Sequence, residues 1–214
     1  MDPTPEQSHS QAKHLSFVRT LALADLFTFG NLACGAGAIL LLMKYLVTAD
    51  PAWLIAAFVL IPLALVMDTL DGRIARWRRR SSPIGADLDS LADAISFGMA
   101  PAALAFTLGL QGGLDVVALL FFVSCGVGRL ARFNVTASSL ADEKGKVRHF
   151  EGLPIPTSTA VVLLWAFLFA NGRTGEAVPW GVLGQDPYAF HPFSLIYVLH
   201  GVGMISRTLK IPKP

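Results

Sequence analysis

Asp68-Thr69-Leu70-Asp71-Gly72-Arg73-Ile74-Ala75-Arg76, then eight residues, then Gly85-Ala86-Asp87-Leu88-Asp89-Ser90-Leu91-Ala92-Asp93, is the densest group of acids in this 214-residue chain. Apolar sequence runs up to it from Ala52 and away from it past Ala94. Asp68 and Asp71 are three apart, and Asp89 and Asp93 four apart, so each pair shares one face of a helix. The basic turn Trp77-Arg78-Arg79-Arg80-Ser81-Ser82-Pro83 joins the two segments. Helices linked this tightly pack as an antiparallel hairpin, which brings the four carboxylates towards one small volume.

An Asp near the centre of a membrane helix costs about 2.5–3.5 kcal/mol, and four acids together repel one another. A cluster of this kind is tolerable when it binds cations. Oxygen donors suit Mg²⁺, Mn²⁺ or Ca²⁺, and the absence of His and Cys from the stretch argues against zinc. Pairing with Arg73, Arg76 and Arg78 is the bland alternative, but loop arginines would serve two acids more readily than four.

Working outward, 53% of the residues are hydrophobic and only 15% charged, against about 25% charged in soluble domains. The apolar residues come in long blocks, which defines an all-α, polytopic membrane protein. Six transmembrane helices are expected at 26–47, 52–75, 87–110, 114–134, 156–172 and 190–206. Residues 1–14, with Pro3, Pro5, Gln7 and Ser8, read as a disordered tail, and 15–214 as a single membrane domain. Residues 15–24 fit a short amphipathic helix in the interface. No cleavable signal peptide is evident, because the first apolar block starts late and runs long. Cys34 and Cys125 lie inside apolar blocks and read as small hydrophobes.

With six spans, all 17 Lys and Arg residues except Lys44 and Arg173 fall on one side of the membrane. The positive-inside rule places that side, with both termini and the acids, in the cytoplasm. Trp180, Tyr188, Phe190 and Phe193 fall near the opposite face, where an aromatic belt is expected.

The order Asp-x2-Asp-Gly-x2-Ala-Arg-x8-Gly-x3-Asp-x3-Asp resembles the signature of the CDP-alcohol phosphatidyltransferase family at Asp68, Asp71, Gly72, Ala75, Arg76, Gly85, Asp89 and Asp93. The resemblance implies a six-helix membrane core with a cytoplasm-facing site, a CDP-linked lipid donor and loss of CMP. It implies two divalent cations, Mg²⁺ or Mn²⁺, held by Asp68, Asp71, Asp89 and Asp93. It also implies a homodimer, and donor contacts from Asp68, Asp71, Gly72, Ala75, Arg76, Gly85 and Asp89. Small residues at 72 and 75 leave one helix face bare for a nucleotide or a neighbouring helix. Asn31 in the first span is positioned to bond ribose or phosphate, or to link helices. No nucleic-acid partner is expected beyond the cytidine nucleotide of the donor.

Gly128-Arg129-Leu130-Ala131-Arg132-Phe133-Asn134, His149-Phe150-Glu151-Gly152-Leu153-Pro154-Ile155-Pro156 and Asn31-Leu32-Ala33-Cys34-Gly35 are similar to the serine-accepting branch of that family. The implied reactants are CDP-diacylglycerol and L-serine at the lipid bilayer. Serine brings a carboxylate, and Arg129 and Arg132, three apart, suit a carboxylate or the donor diphosphate. Positive-inside anchoring is the other reading of that pair. Asn134 belongs to the same acceptor or phosphate group, and Glu151 suits the serine ammonium. Lys144, Lys146 and Arg148 read as a headgroup-facing patch.

The chemistry that the resemblance implies is metal-assisted phosphoryl transfer to a hydroxyl in phospholipid synthesis, with either Asp93 as general base or a metal acidifying the hydroxyl, and the expected location is the inner membrane of a prokaryotic cell. Two alternatives remain at this stage. A sister enzyme would use glycerol 3-phosphate or inositol phosphate as acceptor. A transporter would also carry intramembrane acids, but these acids cluster at one side and no inverted repeat is visible.

Overall fold

The computed structural model describes residues 23–78, 85–141, 149–185, 187–206 and 210–212. The tail at 1–14, nearly all of the interfacial segment at 15–24, and Arg79, Arg80, Lys144, Lys146 and Arg148 lie outside the described residues.

Six helical segments follow one another. They are α1 (Leu23–Thr48), α2 (Pro51–Arg78), α3 (Gly85–Thr107), α4 (Gly113–Ala141), α5 (Thr159–Ala170) and α6 (Leu195–Ile205). Four stretches are long and apolar enough to cross a membrane: Asp25–Thr48, Pro51–Ile74, Gly85–Thr107 and Gly113–Val135. Ile155–Ala170 and Pro192–Ile205 are shorter apolar helices. Helix is the form expected of such sequence, because lipid offers no partner for a free backbone N–H or C=O.

Local chemistry sets the α1–α2 turn. Ala49 adopts φ 54°, its N–H donates to Tyr45 O at 2.8 Å, and α1 ends there. Asp50 Oδ1 accepts the Ala52 N–H at 2.9 Å as a cap, with Pro51 in the first helical position. The two helices then run antiparallel. Lys44 Nζ lies 3.8 Å from the Trp53 ring centroid near the turn, and Thr28 meets Asp71 at the other end.

α3 is not a uniform α-helix. Residues Ala94–Met99 form a π-helical segment directly after Asp93, in which Ala100 N donates to Ile95 O. Pro101 offers no N–H to the carbonyl of Phe97, and Ser158 Oγ donates to that carbonyl at 2.7 Å. The helix stops at Thr107, short of the expected residue 110, because Gly109 turns away with φ 129°. α4 extends past the expected residue 134 to Ala141, continuing the helix beyond its apolar portion.

Pro154 precedes a 3₁₀ turn, Ile155–Ser158, that leads into α5, so the prolines shape the start of that helix. Two three-residue strands, β1 (His149–Glu151) and β2 (Lys210–Pro212), pair antiparallel beside the ends of α5 and α6. This ribbon is the exception to an all-α chain. Gly152, at φ 77°, follows β1 where a Cβ would strike the backbone of Met204, and Leu153 N donates to Gly203 O at 3.0 Å.

The core draws on all six helices, with Leu42 of α1 and Leu54 and Ile61 of α2 buried in it beside residues of α3, α4, α5 and α6. Trp165 Nε1 donates to Tyr197 Oη at 3.0 Å, and Tyr197 donates to Pro101 O at 3.1 Å. Phe122 meets the Tyr197 ring edge-on at 5.2 Å. Phe193, assigned above to an aromatic belt, is instead 3% exposed and packs on Trp165. Its place on the turn into α6 directs it inward, while Trp180 and Tyr188 stay exposed. Cys34 and Cys125 are both free, the first half-buried and the second buried.

Candidate metal and phosphate site

The acids meet where α1, α2, α3 and α4 come together. Asp68 and Asp71 come from α2, Asp89 and Asp93 from α3. Oxygens of Asp68, Asp71 and Asp89 lie within 4.8 Å of one another. Two ligands across a Mg²⁺ are about 4.2 Å apart, so the spacing is close to that of ligands on one ion. Asp93 stands outside this group of three but within electrostatic range of Asp68, Asp89 and Asp71. Asp71 and Asp93 are buried, and Asp89 Oδ1 is buried with no hydrogen-bond partner.

No Lys or Arg among the described residues lies within salt-bridge distance of these four carboxylates. Arg129 is a compensating charge among the described residues. It is buried on α4 within electrostatic range of Asp93, and its guanidinium carbon sits 5.8 Å from the Phe133 ring centroid. The cluster is therefore short of positive charge. An orphaned carboxylate oxygen and an all-oxygen donor set fit hard divalent cations.

α1 supplies two donors. Thr28 Oγ1 donates to Asp71 Oδ2 and Asn31 Nδ2 donates to Asp93 Oδ1, each at 3.0 Å. Ser96 Oγ donates to the backbone carbonyl of Asn31 at 3.0 Å. Gly35 permits this approach, because a Cβ there would stand 2.6 Å from Ser96 Cα.

The other expected residues divide. Asn134 and Ser90 hydrogen-bond to each other at 3.0 Å, tying α4 to α3 between Asp89 and Asp93. Arg132 Nη1 donates to Ile205 O at 3.1 Å, so it helps cap α6, while Arg129 faces the acids. Gly72 follows Asp71 in α2 and Gly85 opens α3. Ala75 and Arg76 continue α2 and Glu151 ends β1, but their side chains lie outside the described residues.

Thr28, Ser90 and Ser96 were not singled out from sequence. The available signal was spacing: Thr28 and Asn31 are polar residues three apart in an otherwise apolar span. A residue pattern alone did not show which acids they meet.

A helical chain with an unneutralised acidic cluster at one end of its bundle has the features of a membrane enzyme that works with divalent cations. The CDP-alcohol phosphatidyltransferase family model matches residues 21–191, and the chain belongs to that family. A Saccharomyces cerevisiae protein named CDP-diacylglycerol–serine O-phosphatidyltransferase is 46% identical over 208 residues, which is 96% of this chain and 75% of that protein. A Methanocaldococcus jannaschii protein of the same name is 36% identical over 79% of this chain and 82% of its own length. An archaetidylserine synthase from Methanothermobacter thermautotrophicus is 36% identical over 66% of this chain and 56% of its own length.

Proposed function

We propose that the protein transfers the phosphatidyl group of CDP-diacylglycerol to the hydroxyl of L-serine, giving phosphatidylserine and CMP. The observation that carries this reading is the acid cluster: three carboxylates meet within 4.8 Å and none of the four acids is ion-paired among the described residues. Relatives named as serine O-phosphatidyltransferases support serine as the acceptor.

Asp68, Asp71 and Asp89, with Asp93 at their edge, would hold two divalent cations, Mg²⁺ or Mn²⁺. Such ions neutralise a diphosphate and the charge that develops on a departing nucleotide. Asp93 would accept the serine hydroxyl proton in this reading, and its position outside the group of three acids supports that role. A bond forms from the serine oxygen to the phosphorus carrying diacylglycerol, and the bond to CMP breaks with its electron pair on CMP. Arg129, buried and short of a partner charge other than Asp93, suits the serine carboxylate or the donor phosphates. In this reading Gly72, Ala75, Arg76 and Gly85 would serve the CDP-lipid donor, and Asn134 and Glu151 the acceptor or its phosphate.

All six apolar helices span the membrane in this reading. Both termini and the site face the cytoplasm of a prokaryotic inner membrane, and the working unit is a homodimer. CMP release by the purified protein, measured with CDP-diacylglycerol and a panel of alcohols, tests the function. Release with serine, abolished by a chelator and restored by Mg²⁺ or Mn²⁺, is the expected result. Faster release with glycerol 3-phosphate or inositol phosphate would reassign the acceptor, and full activity in chelator would end the metal reading.

A further inference from the structure

We propose that Thr28 and Asn31 form a positioning pair that sets how the acid cluster presents its oxygens to divalent cations. The inference rests on the metal reading of that cluster. The two residues are three apart on α1, so they share a face. Thr28 Oγ1 holds Asp71 Oδ2 and Asn31 Nδ2 holds Asp93 Oδ1, each at 3.0 Å. One α1 donor therefore engages each strand of the hairpin: Asp71 on α2 and Asp93 on α3. A carboxylate is planar, so fixing one oxygen fixes where the other points. The pair engages Asp71 Oδ2 and Asp93 Oδ1, and so sets where Asp71 Oδ1 and Asp93 Oδ2 point.

Thr28 and Asn31 are as buried as the acids they hold, and each directs a donor at a carboxylate, so their contact is with the acids. Packing does not explain the choice of amide. Asn31 Oδ1 is buried without a partner, a defect that an apolar side chain of similar size would avoid. The donor to Asp93 is what the amide adds. Its backbone is also fixed, by Ser96 Oγ on the Asn31 carbonyl and by the close approach at Gly35 one turn along.

Partners behind a metal ligand change affinity by about 10–100-fold when removed. The full-length protein in lipid nanodiscs is titrated with Mn²⁺, reading the free-ion electron paramagnetic resonance signal with no substrate present. Thr28→Val and Asn31→Leu are expected to weaken Mn²⁺ binding about tenfold, while Thr28→Ser stays within about twofold of the parent. At saturating Mn²⁺ the KM for CDP-diacylglycerol should be unchanged in Thr28→Val. Should Asn31→Leu fail to fold, the Val and Ser variants at Thr28 decide alone. Parent-like Mn²⁺ affinity in folded Thr28→Val overturns the proposal, as does a raised donor KM with metal affinity intact. A parent protein that binds no Mn²⁺ overturns the underlying metal reading as well, which separates the two failures.

Discussion

Asp93 combines burial, a single fixed hydrogen bond from Asn31 and a position apart from the three converging oxygens. A carboxylate bound tightly by a cation is a poor base, so this separation matters for proton transfer. Asp93→Asn keeps the shape and removes the base. It should lower kcat for phosphatidyl transfer by at least about 100-fold while CDP-diacylglycerol binding persists. Activity above a few per cent of the parent, measured by CMP release, would take Asp93 out of that role. Asp115 shows what a buried acid does when it is structural. It is 0% exposed at the other end of α4 and accepts from Gly112 N at 3.1 Å, His191 N at 2.8 Å and His191 Nδ1 at 2.6 Å. All its neighbours are donors, and nothing is left over for a ligand. Asp115→Ala strands those donors and should cost about 3 kcal/mol of stability. The readout is a lower melting temperature in detergent, with the KM for serine unchanged below the transition. The four site acids differ in kind: among the described residues they have no ion-paired Lys or Arg, whereas Asp115 accepts three hydrogen bonds.

At the scale of elements, α1 and α3 approach at Gly35 and Ser96 more closely than any side chain would permit. Gly35→Ala forces the helices apart and should cost about 1–3 kcal/mol by overpacking. Because Asn31 lies one turn away, its bond to Asp93 lengthens too, so kcat should fall along with melting temperature. A variant that melts lower but turns over at the parent rate would uncouple the packing from the site. The helices themselves were legible in sequence, since long apolar blocks with polar breaks at Asp50, Gly112 and the 171–191 segment mark where helices lie. The motif spacing likewise showed that Asp68 and Asp71 share a face. What sequence did not show depends on partners distant in the chain. The π segment at Ala94–Met99 coexists with Ser158 on the Phe97 carbonyl, 61 residues away, and the β1–β2 ribbon pairs segments about as far apart. Arg129 and Arg132 looked equivalent by spacing. Only the fold separates them, because Arg132 is taken up by the Ile205 carbonyl at the end of α6.

For the whole molecule, the cluster lies at the end of the bundle where α2 stops, α3 starts and α4 carries Arg129. The 171–191 segment closes the other end, where Gly175 N donates to Leu108 O at 2.7 Å and Leu114 N to Ala189 O at 3.2 Å. The two ends therefore differ in chemistry as well as in charge. The proposed reaction, with a nucleotide and an amino acid made in the cytoplasm, needs that end to face inward, and the Lys and Arg distribution over six spans favours the same orientation. Orientation can be read with single cysteines after Cys34→Ala and Cys125→Ala remove the native thiols. Trp180→Cys, at a residue 71% exposed on the closed end, should react with a membrane-impermeant maleimide on intact cells. Gly145→Cys, between the fourth and fifth apolar blocks, should react only after the membrane is opened. Labelling in the reverse pattern would put the acids outside the cell, away from the CDP-lipid and serine pools, and would remove the basis for the proposed reaction. Labelling of both positions on one side would mean that α5 does not cross, and the chain would then span the membrane fewer than six times.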